Sequence, residues 1–300
     1  MSLAHFKING KFGATTDRED GDDSSHVSSL WIVSIAEAEE AAPNTTIVRA
    51  VWEHKKSSKR GDKKFFMKSW NQDVEYGSMM QELEILRAGR NNCNCIVELV
   101  ASHVSPKNIH IILELASGTM QSRYFSSGEL VLNHRIVGAD AHRKFLEECC
   151  APFFKNALHF LHRVVCRVYC DWKFDNILCF DTADGSFPQL KLADFSSAQQ
   201  IDKSIENPKN CNQAFTPASL CSELKTICPC IEDDYASVRY LFAKLNGLQL
   251  SWEQVGATIP SSGMTSFHYI VIALLKTRLF NPIDTSKCIY WPSFLETKVK

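Results

Sequence analysis

The sequence is short of glycine, of net charge and of long apolar runs. Its 300 residues include 13 glycines, about 4% against a usual share of roughly 7%. None of them lies between residues 22 and 60, so no glycine-rich turn can form in that stretch. Basic and acidic side chains number 33 and 34. No overall field therefore attracts nucleic acid or acidic lipid, and we expect neither as a partner.

The absence of long apolar runs excludes a helix that spans a membrane. The longest uninterrupted run, Tyr269 to Leu275, is far shorter than the roughly 18–20 residues that cross a bilayer. The opening MSLAHFKINGKFG has no apolar core of signal-peptide length. We therefore expect an intracellular protein, cytoplasmic or nuclear, that makes no membrane contact.

Cysteine is abundant, with 12 residues, but the C-x2-C spacing of zinc ribbons is missing. The closely spaced cysteines stand as C-x-C or C-C: Cys93/Cys95, Cys149/Cys150 and Cys228/Cys230. In an intracellular chain we expect reduced thiols that pack as small apolar side chains, rather than a disulfide framework. Apolar residues make up 45% of the sequence, enough to offset the entropy of folding over most of its length.

Hydrophobic periodicity divides the chain into two regions behind a polar N-terminal segment. Residues 1–28 are acidic and aperiodic, which predicts a flexible extension. Over about 29–115, β-branched and aromatic runs predict a small, mostly antiparallel sheet with one helix at 75–88. The basic residues 54–64 are predicted to form a solvated hairpin tip. Beyond residue 115 a helical period dominates, and a long buried helix is predicted to begin near Ala141.

Two polar loops in the second region carry residues that point to a reaction. Asp171, Lys173 and Asn176 lie between the long predicted helix and a predicted strand, and Asp194 ends another strand further along. Two carboxylates and an amide at such loops suit phosphoryl transfer, in which one carboxylate orients the attacking hydroxyl. The other carboxylate and the amide hold Mg²⁺ against the phosphates, and the lysine offsets charge on the transferred group.

These loops and other motifs, in the same order along the chain, resemble those of the eukaryotic protein kinase family. Y-C-D-W-K-F-D-N resembles the catalytic loop H-R-D-L-K-x-x-N, and D-F-S at residues 194–196 resembles D-F-G. FFMK resembles the V-A-I-K of the third strand and ends in Lys68. Glu82 resembles the helix glutamate that pairs with this lysine, and Glu84 is the alternative partner.

Three more segments continue the resemblance. HIILELASG resembles the hinge that hydrogen-bonds adenine, with Leu113 at the gatekeeper position and Glu114 to Ala116 as the linker. FTPASLCSEL resembles the end of an activation segment, with Glu223 for the glutamate of A-P-E. Asp234 resembles the buried aspartate of a later helix.

The resemblance implies an α+β, bilobal protein-kinase-like fold, with a small β-rich N-lobe at about 29–115 and a larger α-helical C-lobe at about 116–300. It implies a divergent kinase that uses ATP and Mg²⁺ to phosphorylate protein substrates, on Ser or Thr because of Lys173. Asp171 and Lys173 are implied to be catalytic, and Asn176 and Asp194 to hold the metal. The positions implied to bind the nucleotide are Lys68, Glu82, Glu114, Ala116, Asn176 and Asp194.

The sequence also departs from the family pattern. Residues 36–44 stand in place of the glycine-rich loop without a glycine, and residues 10–13, GKFG, are the alternative loop. Phe66 replaces the small alanine that lies against adenine. Cys170 replaces the arginine that pairs with a phosphorylated activation loop, so we expect no control by such a phosphate. A non-catalytic pseudokinase that binds partners is therefore the alternative function. A small-molecule phosphotransferase is a third, against which Lys173 argues.

Overall fold

The structure is a computed structural model. It describes residues 11–12, 27–35, 45–54, 57–90, 92–104, 108–126, 129–131, 138–201, 205–206, 226–227, 231–248 and 285–296. The predicted phosphate-covering segment 36–44 and the predicted activation-segment end at 215–224 lie outside these residues. The described contacts divide the chain into two compact units. The first unit comprises residues 1–91 and 97–115, and the second comprises residues 92–96 and 116–300.

In its described part, the first unit contains a six-stranded antiparallel sheet and one helix. The strand order is β1-β2-β3-β4-β6-β5. The bounds are β1 Lys11–Phe12, β2 Val27–Ile35, β3 Thr45–His54, β4 Ser57–Asn71, α1 Gln72–Gly89, β5 Leu99–Val104 and β6 Asn108–Glu114. The sheet and helix predicted for this region are thus present. The described residues of the predicted N-terminal extension are the two of β1, which pair with Leu30 and Trp31, and the first two of β2, Val27 and Ser28.

The prediction of a solvated hairpin tip over residues 54–64 is wrong for most of that stretch. Strand β4 begins at Ser57, which pairs with His54 of β3, so only residues 55–56 separate the two strands. The basic residues continue the β3–β4 ladder because it satisfies their backbone N–H and C=O groups. Pairing of β4 with β6 starts only at Phe65. In the described sheet, the basic part of β4 before Phe65 therefore lies next to β3 alone. An antiparallel ribbon of this kind tolerates charged side chains.

Helix α1 has one buried face, as its sequence predicts. Met79, Leu83 and Leu86 are fully buried at the i, i+4, i+7 spacing of a single helical stripe. Glu82 and Ile85 are buried beside them. A carboxylate therefore lies within the apolar side of this helix.

The second unit combines short strands with a larger number of helical residues. Its described elements are β7 Gly118–Thr119, α2 Met120–Tyr124, β8 Phe125–Ser126, β9 Glu129–Leu130, α3 Ala139–Lys144, α4 Ala151–His159, β10 Arg167–Val168, β11 Ile177–Phe180, β12 Gln189–Leu192, β13 Gln199–Gln200, β14 Ile205–Glu206, β15 Thr226–Ile227 and α5 Ile231–Leu245. Strands β12, β11 and β7 form a three-stranded antiparallel sheet. Short 3-10 helices cover Phe174–Asn176, Thr285–Lys287 and Ser293–Leu295.

The long buried helix predicted near Ala141 is present and continuous from Ala139 to Val164. The helix widens into π-helix at two places. The first, Phe145–Cys150, lies between α3 and α4, and the second, Phe160–Val164, follows α4. Pro152, in the first turn of α4, has no N–H to donate, and its ring crowds the preceding turn of a regular helix. The wider turn immediately before Pro152 accommodates that ring.

Aromatic side chains form much of the core of the second unit. The ring of Phe154 on α4 lies 5.8 Å from that of Trp172 and 6.1 Å from that of Phe242 on α5. Trp172 belongs to the irregular segment between β10 and β11. This segment is therefore packed directly against the helical core.

Cys93 and Cys95 form a disulfide, which corrects our expectation of reduced thiols at these two positions. A turn between Asn92 and Ile96 brings their Cα atoms to 5.4 Å, within the range that a disulfide can join. The other cysteines whose side chains are described are not joined in a disulfide: Cys149, Cys150, Cys166, Cys170, Cys179 and Cys288. No helix in the described part of the chain is both long and apolar enough to cross a bilayer.

Candidate active site

The first unit contains a buried ion pair between β4 and α1. Lys68 Nζ lies 2.9 Å from Glu82 Oε1. The Glu82 side chain is fully buried and that of Lys68 is 11% exposed. Charges this deeply buried are stable only when they are paired. Glu82 is thus the partner of Lys68, whereas Glu84 lies on the exposed side of α1.

Regular secondary structure places both members of this pair. Lys68 stands opposite Thr45 of β3 and Ile111 of β6 in the central part of the sheet. Phe66 lies two residues before Lys68 and is half-buried. Because side chains two apart on a strand share a face, Phe66 stands beside the lysine on β4. That the Phe66 ring narrows a nucleotide pocket stays a prediction.

The predicted hinge falls at the end of β6. Glu114 is the last residue of this strand, and Ala116 is the first residue of the second unit's longer segment. The backbone N–H of Glu114 donates to the carbonyl of Glu98 at 3.2 Å, and the Glu114 carboxylate accepts from the Glu98 N–H at 2.7 Å. These two bonds fix the strand end against the segment before β5. The adenine contacts expected of Glu114 and Ala116 stay predictions.

In the second unit, Asp171 is the centre of a hydrogen-bonded cluster. Lys173 Nζ lies 2.9 Å from Asp171 Oδ2. Asn176 Nδ2 donates to the same oxygen at 2.7 Å and to the Asp171 carbonyl at 3.0 Å. The other carboxylate oxygen, Oδ1, is buried and has no hydrogen-bond partner among the described residues. One oxygen of Asp171 is therefore held, while the other can still accept a hydrogen bond or a proton.

Burial raises the pKa of Asp171 above the ordinary value of an aspartate. Lys173 and Asn176 oppose this shift because they hydrogen-bond to the charged form, and the negative charge of Asp194 adds to it. The pKa remains raised on balance. Asp171 is consequently a better proton acceptor than an exposed aspartate.

Asp194 follows β12 in a left-handed backbone conformation, with φ 57°. Residues other than glycine adopt this region infrequently, so the conformation needs support from its surroundings. Ser196 Oγ donates to Asp194 Oδ1 at 2.8 Å. The N–H of Ala193 donates to the Asn176 carbonyl at 3.0 Å and joins the two polar loops. The loops of Asp171 and Asp194 are thus adjacent, close enough for one charge to act on the other.

The oxygens of Asn176 and Asp194 suit a hard cation such as Mg²⁺. Because Asn176 Nδ2 donates to Asp171, its Oδ1 is the atom left to ligate a metal. In the described part of the chain, no three His, Cys, Asp or Glu side chains are grouped so as to hold a metal ion. Mg²⁺ is usually bound by one or two carboxylates together with phosphate oxygens and water. Asn176 and Asp194 therefore fit a magnesium ion whose remaining ligands are phosphate oxygens and water.

Asp234 on α5 supports the loop of Asp171. Its carboxylate accepts hydrogen bonds from the backbone N–H of Tyr169 at 2.9 Å and of Cys170 at 3.3 Å. Trp172 Nε1 donates to it at 2.8 Å, and His162 Nε2 lies 2.8 Å from it. The sequence predicted a buried aspartate at this position. It did not identify Trp172 and His162, although a tryptophan directly after Asp171 was an available signal.

Six of the eight predicted site residues thus form two groups within the described structure, and Glu114 and Ala116 lie outside both. The first unit brings Lys68 and Glu82 together, and the second unit brings together Asp171, Lys173, Asn176 and Asp194. A family model described as the protein kinase domain matches residues 46–223, more than half of the chain, and spans both groups. No curated protein matches the sequence significantly.

Proposed function

The chain belongs to the protein kinase family, and from that premise we propose that it is an active enzyme. It transfers the γ-phosphate of ATP, with Mg²⁺, to Ser or Thr hydroxyls of a protein substrate. The observation that carries the proposal is the buried Asp171 carboxylate. Lys173 and Asn176 hold one of its oxygens, and the other has no partner in the described part of the chain.

Asp171 accepts a hydrogen bond from the substrate hydroxyl through Oδ1 and orients it towards the phosphorus atom. Its raised pKa favours acceptance of the hydroxyl proton as the new P–O bond forms and the bond from the γ-phosphorus to the leaving ADP breaks. Lys173, which is paired with Oδ2, supplies positive charge next to the transferred phosphoryl group. The proposed preference for Ser and Thr rests on the resemblance of Lys173 to the lysine of serine/threonine kinases.

Lys68 contacts the ATP phosphates, and Glu82 holds its ammonium group in position. A lysine held by a buried carboxylate presents its remaining N–H groups in a fixed direction. Asn176 and Asp194 are the residues that would hold Mg²⁺, which neutralises phosphate charge when bound. We further propose that the two compact units are the N-lobe and C-lobe of a bilobal kinase, and that the protein acts inside the cell.

A transfer assay tests this function. The 300-residue chain is incubated with Mg²⁺ and ATP labelled in the γ-phosphate, with casein or histone as the substrate. Label is expected on phosphoserine and phosphothreonine after acid hydrolysis, and the Asp171→Asn variant should produce almost none. Equal labelling by wild type and variant contradicts the proposal. Label on tyrosine contradicts the residue preference alone.

A non-catalytic binding protein is the second candidate function, and Phe66 is the observation that favours it. Its half-buried ring occupies the family's alanine position, beside Lys68 on β4. Thermal melting with and without Mg²⁺-ATP separates the two candidates. At 100-fold excess over its dissociation constant, a ligand stabilises the folded state by about 2.7 kcal/mol. A shift that requires Mg²⁺ supports the enzyme, and no shift supports the pseudokinase.

A further inference from the structure

The loop of Asp171 is held by a hydrogen-bond donor that the family motif lacks. Trp172 directly follows Asp171, and its Nε1 donates to Asp234 Oδ1 at 2.8 Å. The family motif has leucine at this position, which offers no side-chain donor. The Trp172 side chain is among the most deeply buried of the second unit, with 1% of its residue surface exposed. Its N–H is therefore directed at one specific acceptor and does not face water.

Ring contacts fix the orientation of this indole. Tyr169 packs edge-on against it, with ring centroids 5.1 Å apart, and Phe154 of α4 packs on it at 5.8 Å. The Tyr169 hydroxyl in turn donates to the carbonyl of Ala193, the residue before Asp194. Trp172 thus belongs to a packed group that reaches from the helical core to both polar loops.

The backbone next to Asp171 needs this support. Cys170 has φ 64°, a left-handed conformation that a residue with a Cβ holds only when its surroundings enforce it. The N–H groups of Tyr169 and Cys170 and Nε1 of Trp172 all donate to Asp234. The carboxylate thereby holds the chain on both sides of Asp171.

We propose that Trp172 is a positioning residue for the transfer reaction. Its hydrogen bond to Asp234 fixes the segment after Asp171, as the two backbone N–H groups fix the segment before it. The direction of Asp171 Oδ1 follows from both anchors. This catalytic consequence rests on the proposed function, whereas the anchoring of the loop does not depend on it.

The test compares Trp172→Phe with Trp291→Phe in the 300-residue chain. The first variant keeps an aromatic ring and removes the N–H that reaches Asp234. Trp291 is the matched control, because its half-buried ring contacts α5 through Phe242 at 5.8 Å. In Trp172→Phe we expect kcat to fall about tenfold with an unchanged KM for ATP, the factor for losing one hydrogen bond to a charged group. We expect neither constant to change in the control.

Hydrogen exchange provides a second readout that does not require activity. The N–H groups of residues 167–173 should exchange several times faster in Trp172→Phe than in wild type, and at the wild-type rate in Trp291→Phe. Trp172→Leu, with the residue of the family motif, serves if the first variant does not fold.

Unchanged exchange at residues 167–173 in the Trp172 variant overturns the anchoring. Equal losses of kcat in the Trp172 and Trp291 variants indicate a general effect on stability and overturn the positioning role. Absence of transfer by the wild type defeats the proposed function and with it the catalytic role of Trp172, while the exchange rates still decide the anchoring.

Discussion

The two groups of candidate residues are held in place by different means. Lys68 and Glu82 lie on a strand and a helix, and each needs only the regular geometry of its element to face the other. Asp171 and Asp194 lie in irregular segments, in which Cys170 and Asp194 have left-handed backbone conformations. These segments are stabilised by hydrogen bonds to the Asp234 carboxylate and between the two loops, and not by the hydrogen bonds of a helix or a sheet.

This difference predicts whether replacing a residue in each group mainly lowers stability or mainly changes the reaction. The Lys68–Glu82 pair is buried, so the loss of one member removes the opposite charge beside the other and lowers stability. The cluster around Asp171 is held by several hydrogen bonds, from Lys173 and Asn176 to Asp171 and from the neighbouring residues to Asp234. The loss of a member there changes the direction or protonation of the carboxylate before it unfolds the chain.

The largest expected effect is that of Asp171→Asn on the reaction. We expect kcat to fall about a thousandfold, because the variant cannot accept the hydroxyl proton. Stability should not fall. Since burial holds the folded pKa of Asp171 above its unfolded value, the folded state loses stability as the pH rises between the two values. The asparagine amide carries no charge that burial would disfavour, so the melting temperature of Asp171→Asn at neutral pH should equal or exceed that of wild type.

Melting curves across the acid range check the sign of this effect. The difference between wild type and Asp171→Asn should shrink as the pH falls and Asp171 becomes protonated in both states. A variant that melts well below wild type at neutral pH would show that the carboxylate holds the fold together, and would remove the contrast with the first unit.

Next in size is the effect of breaking the buried ion pair. Lys68→Met leaves the Glu82 carboxylate buried without this partner, which should lower the unfolding free energy by about 3–5 kcal/mol. The double variant Lys68→Met/Glu82→Leu replaces both charges by apolar groups and should regain most of that stability. Urea denaturation measures both. We expect phosphate transfer to stay low in both variants, and a double variant less stable than Lys68→Met would contradict the account.

A smaller effect is expected on the pH dependence when Lys173 is replaced. Lys173 lowers the pKa of Asp171, so Lys173→Met should raise that pKa further. The acid limb of the kcat profile should then move to higher pH, because the carboxylate is protonated earlier as the pH falls. Lys173→Arg retains the charge and should leave the limb closer to its wild-type position. An unmoved limb in Lys173→Met would argue against Asp171 as the titrating group.

The smallest effect is expected at an exposed ion pair of the second unit. Arg123 Nη1 lies 2.7 Å from Asp181 Oδ1, a distance similar to that in the buried pair, but the side chains are 21% and 49% exposed. Arg123→Ala should therefore cost less than about 1 kcal/mol of unfolding free energy and leave kcat unchanged. A loss as large as that of Lys68→Met would mean that burial does not explain the difference between the two pairs.

The regular elements and the chemical groups were accessible from the sequence. The i, i+4, i+7 spacing of Met79, Leu83 and Leu86 predicts the buried face of α1, and Lys68 follows from its strand motif. The loop residues Asp171 and Asp194 follow from their spacing and from their residue types. These features are local or depend on a motif, so a single chain is sufficient to identify them.

Features that depend on packing could not be predicted in the same way. The bond from Trp172 to Asp234 joins residues far apart in the chain, and its geometry arises only when α5 packs beside the loop. The Cys93–Cys95 disulfide depends on a tight turn that residue spacing alone does not reveal. The length of β4 depends on its pairing with β3, which overrides the loop character of its basic residues.

The proposed role of Asp171 in the chemical step can be measured by single-turnover transfer of the γ-phosphate, followed over a range of Mg²⁺-ATP concentrations. Wild type, Lys68→Met and Asp171→Asn are compared at a temperature at which all three are folded. We predict that Asp171→Asn retains the wild-type half-saturating ATP concentration with a plateau about a thousandfold lower, and that Lys68→Met needs more ATP for half-saturation. An Asp171→Asn variant that reaches the wild-type plateau would contradict the claim that this residue carries the chemistry.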